Sequence, residues 1–308
     1  MTLEYLQPLE GFLGLPEDEI CAPEEAGAVV IPYGLEASVT YGGGTQAGPA
    51  AVLEASGEVE TFDELYWREP VHAYGIGTLV PPEIPDGIEP ALERLSEVVS
   101  AVLDEGKFPL VIGGEHSVTP GALRPHLQRH NDLVLLHFDA HADLRDGYLG
   151  ERYSHASAIR RCLDDPSLTV VSVGVRNISV QGARYLEDHP GRVHMHWGTH
   201  RAHYDPRAIC APLAGRPVYI TFDLDGFDPS LLPATGTPEP GGLFWDDAMA
   251  ILFEAARVSS MIVGADVVEL APIEGNPASN FVAARLCYRL MSLALLGPPT
   301  GPPQLTQP

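Results

Sequence analysis

An α/β fold built on a buried parallel sheet is predicted by two observations. Apolar runs of strand length recur at Ala28–Pro32, Phe108–Ile112, Leu133–Phe138, Leu168–Val173, Val218–Phe222 and Met261–Val268. Runs that are apolar on both faces suit a sheet covered on both sides. Helical stretches fall between them, at Gly87–Glu105, Ser117–Arg129, Ser154–Leu163, Asp246–Arg257 and Ala278–Leu295, and this alternation is the pattern of parallel strands joined by crossover helices. Taken in order, the first run opens the sheet, and the second ends in Gly113-Gly114-Glu115-His116. The third and fifth end in clusters of aspartate and histidine, and the last leads into Asp266-Val267-Val268-Glu269.

At 308 residues and 45% apolar composition the chain has ample material for a core. No internal repeat or long linker divides it, so a single domain spanning 1–308 is expected. Its core is expected over about 25–295, with the stretch up to Glu25 and the tail Gly297–Pro308 loosely ordered. No apolar run nears the roughly 18 residues of a membrane span, and Met1 to Glu10 lacks a basic region followed by an apolar one. A cytoplasmic protein with no membrane contact is the expectation. Cys21, Cys162, Cys210 and Cys287 are far apart and form no paired motif, which reads as buried free thiols. Net charge is −24, and Lys107 is the single lysine. So acidic a surface repels phosphate backbones, which argues against nucleic acid, and attracts cationic small molecules or metal ions. A salt-rich source cytoplasm accounts for the charge equally well.

Chemistry gathers at the ends of three runs. His137-Phe138-Asp139-Ala140-His141-Ala142-Asp143 follows Leu133–Leu136, and in an extended backbone Asp139, His141 and Asp143 face one side. Thr221-Phe222-Asp223-Leu224-Asp225-Gly226-Phe227-Asp228 repeats the logic after Val218–Ile220, and His116 adds one more imidazole. An isolated Asp at a strand end is ordinarily a turn or helix cap. Together the three groups would repel one another or go unsatisfied without a cation. Mixed His and Asp ligands suit manganese, iron, nickel, cobalt or zinc better than calcium, and six ligands fit two ions about 3.5–4 Å apart. Two divalent ions balance the charge of Asp139, Asp143, Asp223 and Asp225. The stretch His194, His196, His200 and His203 lacks acidic companions and reads as chance clustering of exposed histidines. Tyr41-Gly42-Gly43-Gly44 lacks a phosphate-loop pattern and reads as a flexible loop at the mouth of the site.

The blocks Gly113-Gly114-Glu115-His116-Ser117, Asp139-Ala140-His141-Ala142-Asp143, Ser154-His155-Ala156-Ser157, Asp223-Leu224-Asp225-Gly226-Phe227-Asp228-Pro229 and Gly236-Thr237-Pro238-Glu239 resemble, in this order, the ureohydrolase family of arginase, agmatinase and formimidoylglutamase. Asp266-Val267-Val268-Glu269 completes the series, and Gly43-Gly44-Thr45-Gln46-Ala47-Gly48-Pro49 is similar to the glycine-rich block of agmatinases. The resemblance implies a three-layer α/β/α domain around an eight-stranded parallel sheet, a homo-oligomer (trimer or hexamer), and two manganese ions. By matching motifs, one ion is held by His116, Asp139, Asp143 and Asp223, and the other by Asp139, His141, Asp223 and Asp225. The implied reaction is attack of a metal-bridging hydroxide on a guanidinium carbon. Glu269 corresponds to the guanidinium anchor, and His155 to the histidine that passes a proton to the departing amine. Asp228 corresponds to a residue that supports the ligands from outside.

Agmatine, cleaved to putrescine and urea, is the expected substrate. The segment Leu144-Arg145-Asp146-Gly147-Tyr148-Leu149-Gly150-Glu151-Arg152-Tyr153-Ser154 lacks the small amides that arginases carry there and resembles the agmatinase branch. Asp146 and Glu151 are the candidate partners of an amine tail, whereas Arg145 and Arg152, if unpaired and facing the pocket, would favour a carboxylate tail. The alternatives are arginine, guanidinobutyrate, aminopropylagmatine or guanidine as substrate, or a metal-bound but inactive structural or regulatory subunit. His155 and Glu269 count against the last, since a subunit freed from catalysis has no physical need of them.

Overall fold

A computed structural model describes residues 1–301. Among the described residues, in chain order, lie β1 (Ala28–Tyr33), α1 (Gly48–Ser56), α2 (Val71–Tyr74), β2 (Ile76–Thr78), α3 (Ile88–Asp104), β3 (Phe108–Gly113), α4 (Thr119–Leu127), β4 (Val134–Phe138), α5 (Ala158–Cys162), β5 (Thr169–Val173), α6 (Val180–Asp188), β6 (Val193–His196), α7 (Pro206–Cys210), β7 (Pro217–Asp223), α8 (Trp245–Val258), β8 (Met261–Val268) and α9 (Ala278–Leu296). The eight strands form one parallel sheet in the order β2-β1-β3-β8-β7-β4-β5-β6. All six strands read from apolar runs are present.

Alternation along the strands divides the core in two. Val30, Leu110, Ile112 and Leu136 face one side, where α1, α7, α8 and α9 pack, while Val29, Ile31, Val111 and Leu135 face the other, covered by α3, α4, α5 and α6. Helix α3 shows how sequence sets such a layer. Ile88, Ala91, Leu92, Leu95, Val98, Val99 and Val102 are buried, at the spacing of one helical face. Truncating such a side chain to alanine, as in Leu95→Ala, costs about 2–5 kcal/mol. Helix α9 is buried at every position from Leu286 to Leu293, as a largely apolar helix must be.

Two strands are absent from the sequence reading, and both are sheet edges. β2 is three residues long, and β6 is Val-His-Met-His, half-buried at each position, so neither presents a continuous apolar run. The N-terminal stretch is not loose, contrary to expectation. Tyr5 bridges Leu79, Phe12 and Leu13 are buried, and their N–H groups donate to Thr78 Oγ1 (2.8 Å) and Ser56 Oγ (2.9 Å). Of the expected loose tail, residues 302–308 lie outside the described residues. All four cysteines are free, with Cys162, Cys210 and Cys287 buried and Cys21 only half-buried. No helix of the described residues is long and apolar enough to cross a membrane.

The strand order positions the site. From β3 the chain skips two places to lay down β4, and β7 and β8 later fill the gap in reverse. The carboxyl ends of β3, β8, β7 and β4 therefore lie side by side at the point where the winding changes direction, the place where open α/β sheets bind ligands.

Candidate metal centre

At the end of β3 the backbone passes so close to residue 35 that a Cβ on Gly114 would collide with the Leu35 carbonyl. Glycine is required there, and the turn that follows swings His116 inward. Its Nε2 lies 3.0 Å from Thr221 Oγ1, whose own hydrogen goes to Asp266 Oδ1 (2.6 Å). Tyr219 donates to the other Asp266 oxygen at 2.9 Å. The neutral His116 ring is thereby set to donate from Nε2 and to present the lone pair of Nδ1. That nitrogen is buried without a hydrogen-bond partner and faces Asp143 Oδ2 (3.1 Å), Asp139 Oδ2 (3.2 Å) and Asp223 Oδ2 (3.3 Å). A lone pair among three carboxylates is satisfied only by a cation or a proton between them.

At the end of β4, Asp139 is fully buried. One oxygen meets His137 Nε2 at 2.8 Å, with His137 Nδ1 held by Ser172 Oγ at 3.0 Å, and the other accepts the His141 N–H at 2.6 Å. His141 Nδ1 lies 2.9 Å from Asp225 Oδ2 and 3.6 Å from Asp139 Oδ1. Among the described residues, two groups of ligand atoms are close enough to hold an ion: His116, His137 and Asp139, and Asp139, His141 and Asp225. Asp139 belongs to both.

The aspartates converge by a different route from simple strand alternation. β4 stops at Phe138, and Asp143 turns in through a left-handed backbone, φ +47°. Asp225 sits in a single 3₁₀ turn after β7, its N–H capped by Asp223 Oδ1 at 2.8 Å. A strand would have carried the later carboxylates away from the earlier ones, whereas turns fold them back.

With protons alone to balance the charge, the groups pair with one another. Burial opposes a charged His116, but Asp139, Asp143 and Asp223 hold its imidazole well above the ordinary range, and His141 is drawn up to about 12 against burial, chiefly by Asp225. Burial, and then repulsion from Asp225 and Asp139, pushes Asp223 well up. Asp225 is raised by burial and by Asp139. Divalent cations replace those protons and satisfy the same lone pairs, so the donor set fits them.

One cavity of about 190 Å³ brings together His116, His141, Asp143, Asp223, Asp225, His155 and Glu269. Tyr41 and Gly42, from the glycine run, line its mouth. Glu269 stands at the end of β8 with φ +67°, and its Oε1 accepts the His116 N–H at 2.6 Å. His155 Nδ1 lies 3.1 Å from Ser38 Oγ.

A model of the arginase family matches residues 26–292. The chain belongs to the arginase family. Within that family it is 35% identical to the N(1)-aminopropylagmatine ureohydrolase of a Synechocystis strain, over 90% of this chain and 92% of that protein. It is 32% identical to the agmatinase of Bacillus subtilis, over 89% and 93%. The agmatine ureohydrolase of Thermoplasma volcanium superposes with a TM-score of 0.78 at 30% identity, over 92% and 95%. As an arginase-family member the chain is a hydrolase of amidine C–N bonds, an agmatinase-like ureohydrolase.

Other expectations fare differently. Asp228 touches none of the ligands. Its carboxylate takes Ser230 Oγ and the N–H groups of Ser230, Gly241 and Gly242, which hold it down at about 2, so it shapes a loop instead of supporting the centre. Asp146 and Glu151 do not line the cavity. The first pairs with Arg161 and Arg160, and the second caps the Tyr153 N–H. Arg152 is exposed and paired with Asp164. Arg145 does line the cavity, stacked on Tyr148 with its guanidinium carbon 4.7 Å from the ring centre. His196, His200 and His203 border a separate cavity and form no metal-capable group among the described residues.

Several working residues went unassigned in the sequence reading. His137 orients Asp139, and its place two before Asp139 on the same strand face is a signal that was there to use. Glu115, Ser38 and Thr221 carry no such signature.

Proposed function

We propose that the protein is a two-ion ureohydrolase, most active with manganese, that cleaves agmatine or an N-substituted agmatine to urea and the corresponding amine. The observation that carries this is the meeting of five of the assigned ion ligands, His155 and the buried carboxylate of Glu269 in a single cavity, with Asp139 buried directly behind them. His116, Asp139, Asp143 and Asp223 would hold one ion, and Asp139, His141, Asp223 and Asp225 the other. When bound, such ions supply a nucleophilic water at neutral pH. Glu269 Oε1 is committed to the His116 N–H. Oε2 has no protein partner among the described residues and is available to a guanidinium N–H. His155 delivers the proton that lets the amine leave as the C–N bond breaks.

The names of the relatives favour an amine tail. So does Glu239, which does not itself line the cavity but whose Oε1 accepts at 2.7 Å from Nδ2 of Asn177, a lining residue. We assign Glu239 to the tail amine, in place of Asp146 and Glu151. The strongly acidic chain would draw in a dication. A cytoplasmic homo-oligomer acting in putrescine formation is the setting that follows from this reading.

A second reading rests on Arg145, which lines the cavity with no carboxylate partner among the described residues and would suit the tail of a guanidino acid. Steady-state urea release from agmatine, aminopropylagmatine, arginine, guanidinobutyrate and guanidine decides between the two. The amine reading requires the highest kcat/KM on one of the first two, little change on Arg145→Ala, and a raised KM on Glu239→Gln. A preference for guanidinobutyrate that vanishes with Arg145→Ala overturns it.

A further inference from the structure

Glu115 is fully buried beside the centre yet is not one of its ligands. Its carboxylate accepts four hydrogen bonds: Oε2 from the N–H groups of Ala37 (2.8 Å) and Ser38 (2.7 Å), Oε1 from Ser38 Oγ (2.8 Å) and Ser117 Oγ (2.6 Å). A carboxylate only accepts, so the Ser38 hydroxyl proton points at Glu115. Ser38 Oγ is left with lone pairs alone for its remaining neighbours. It takes the His155 N–H at 2.9 Å, and His155 Nδ1 lies 3.1 Å away. In this contact that nitrogen is therefore the donor. Ser154 Oγ, at 3.4 Å from the same nitrogen, is the longer contact and accepts the Ala156 N–H.

We propose that Glu115 and Ser38 are positioning residues that fix the tautomer of His155, keeping the proton on Nδ1 so that Nε2 is the nitrogen that exchanges a proton with the substrate. The proposal rests on the ureohydrolase reading. In that reaction Nε2 accepts a proton as water adds to the guanidinium carbon and returns it to the nitrogen that departs as the C–N bond breaks. The ring begins and ends neutral. While it carries the extra proton, its positive charge is two hydrogen bonds from the Glu115 carboxylate, with Ser38 between them. Nε2 has no protein partner among the described residues, and the ring lines the cavity. The same contacts tie residues 37 and 38 to the loop after β3, so ring orientation and proton placement are set by one buried group.

The test reads the ring directly. In the zinc-loaded, diamagnetic full chain, ¹⁵N-histidine NMR identifies His155 by difference from a His155→Gln variant and reports the tautomer of its neutral ring. The wild type is expected to carry the proton on Nδ1. Glu115→Gln supplies an amide N–H to Ser38 Oγ, which frees the hydroxyl proton for His155 Nδ1, so the proton moves to Nε2. Ser38→Ala deletes the link and lowers the Nδ1–H population even if the Gln variant fails to fold. An Nε2–H wild type, or one tautomer pattern shared by wild type and both variants, overturns the proposal. In kinetics, Ser38→Ala lowers kcat about 10–100-fold, the range seen when a metal-bound imidazole loses the partner that orients it, with KM and metal content unchanged. The same substitution in a His155→Ala background changes kcat by less than about twofold, because interacting residues are non-additive. An equal loss in both backgrounds overturns the relay. A wild type that released no urea would sink the functional reading, while the NMR result would still decide the relay.

Discussion

The backbone N–H of His116 donates to Glu269 Oε1 at 2.6 Å, and the Glu269 N–H donates to the Gly114 carbonyl at 2.8 Å. The residue assigned to grip the guanidinium and the first ion ligand are thus locked together across the ends of neighbouring strands. Burial pushes the Glu269 carboxyl well above its ordinary range, and Glu115 and Asp225 repel its charge further. A guanidinium at Oε2 relieves both effects. Glu269 also keeps a left-handed backbone, which costs a non-glycine residue about 1–2 kcal/mol and is held by these two hydrogen bonds.

Glu269→Gln keeps the shape and all six ligands but removes the charge that meets the substrate. Turnover is expected to fall at least about 10²-fold, with metal content unchanged. Elemental analysis alongside urea release checks this, and near-normal turnover would remove Glu269 from its assigned role.

Active protein is expected to contain two divalent ions per chain. Asp139 and Asp223 are each assigned to both positions, so Asp139→Asn or Asp223→Asn is expected to abolish turnover and lower metal content together. His155→Ala retains both ions and loses about 10²–10⁴-fold in turnover, the range of a proton-transfer residue. Fully active protein with one ion per chain contradicts the two-ion reading.

Metal uptake should release protons. Without ions, His116 and His141 are held protonated by the carboxylates, and Asp223 and Asp225 are pushed toward their neutral forms. Cations displace these protons, so affinity rises with pH and weakens as pH falls. Calorimetry in buffers of different ionisation enthalpy measures the release. Binding heats independent of the buffer would show that the groups do not pair in this way.

His126 sets a separate pH limit on stability. Both ring nitrogens lack partners, the ring packs 5.0 Å from that of Tyr219, and burial lowers its pKa to about 3. A histidine ordinarily titrates near 6.5, so between about 6.5 and 3 the unfolded chain binds the proton preferentially. The stability that neutral His126 contributes is intact above pH 6.5 and is lost on acidification at about 1.4 kcal/mol per pH unit, roughly 2 kcal/mol by pH 5. Urea unfolding at pH 7 and pH 5 should show this loss in the wild type and not in His126→Leu. Equal losses in the two proteins would exclude His126 as the cause.

The six long strands and the convergence of the histidine and aspartate clusters were legible because each rests on local pattern: an apolar run, or histidine and aspartate at fixed short spacing where the run ends. What stayed hidden depends on distant contacts. Ser38 and Glu115 are 77 residues apart in the chain, and Thr221 and Asp266 are 45 apart. Neither pair has a spacing to recognise. The geometry of convergence was also hidden, since Asp143 and Asp225 arrive through a left-handed residue and a 3₁₀ turn that alternation does not anticipate. The partners of Asp146 and Glu151 were equally invisible, because only the folded chain shows which arginines stand nearby.

The position of β8 bears on when the protein becomes competent. β3 is hydrogen-bonded to β1 and β8, and β7 to β8 and β4. Until β8 is in place the molecule is two half-sheets with no strand pairing between them, one carrying His116 and the other carrying Asp139, His141, Asp143, Asp223 and Asp225. Among the described residues β8 is also the last strand in chain order, and Glu269 is the residue after it. A growing chain therefore cannot bring His116 alongside the other proposed ion ligands, or Glu269 beside them, until β8 seats.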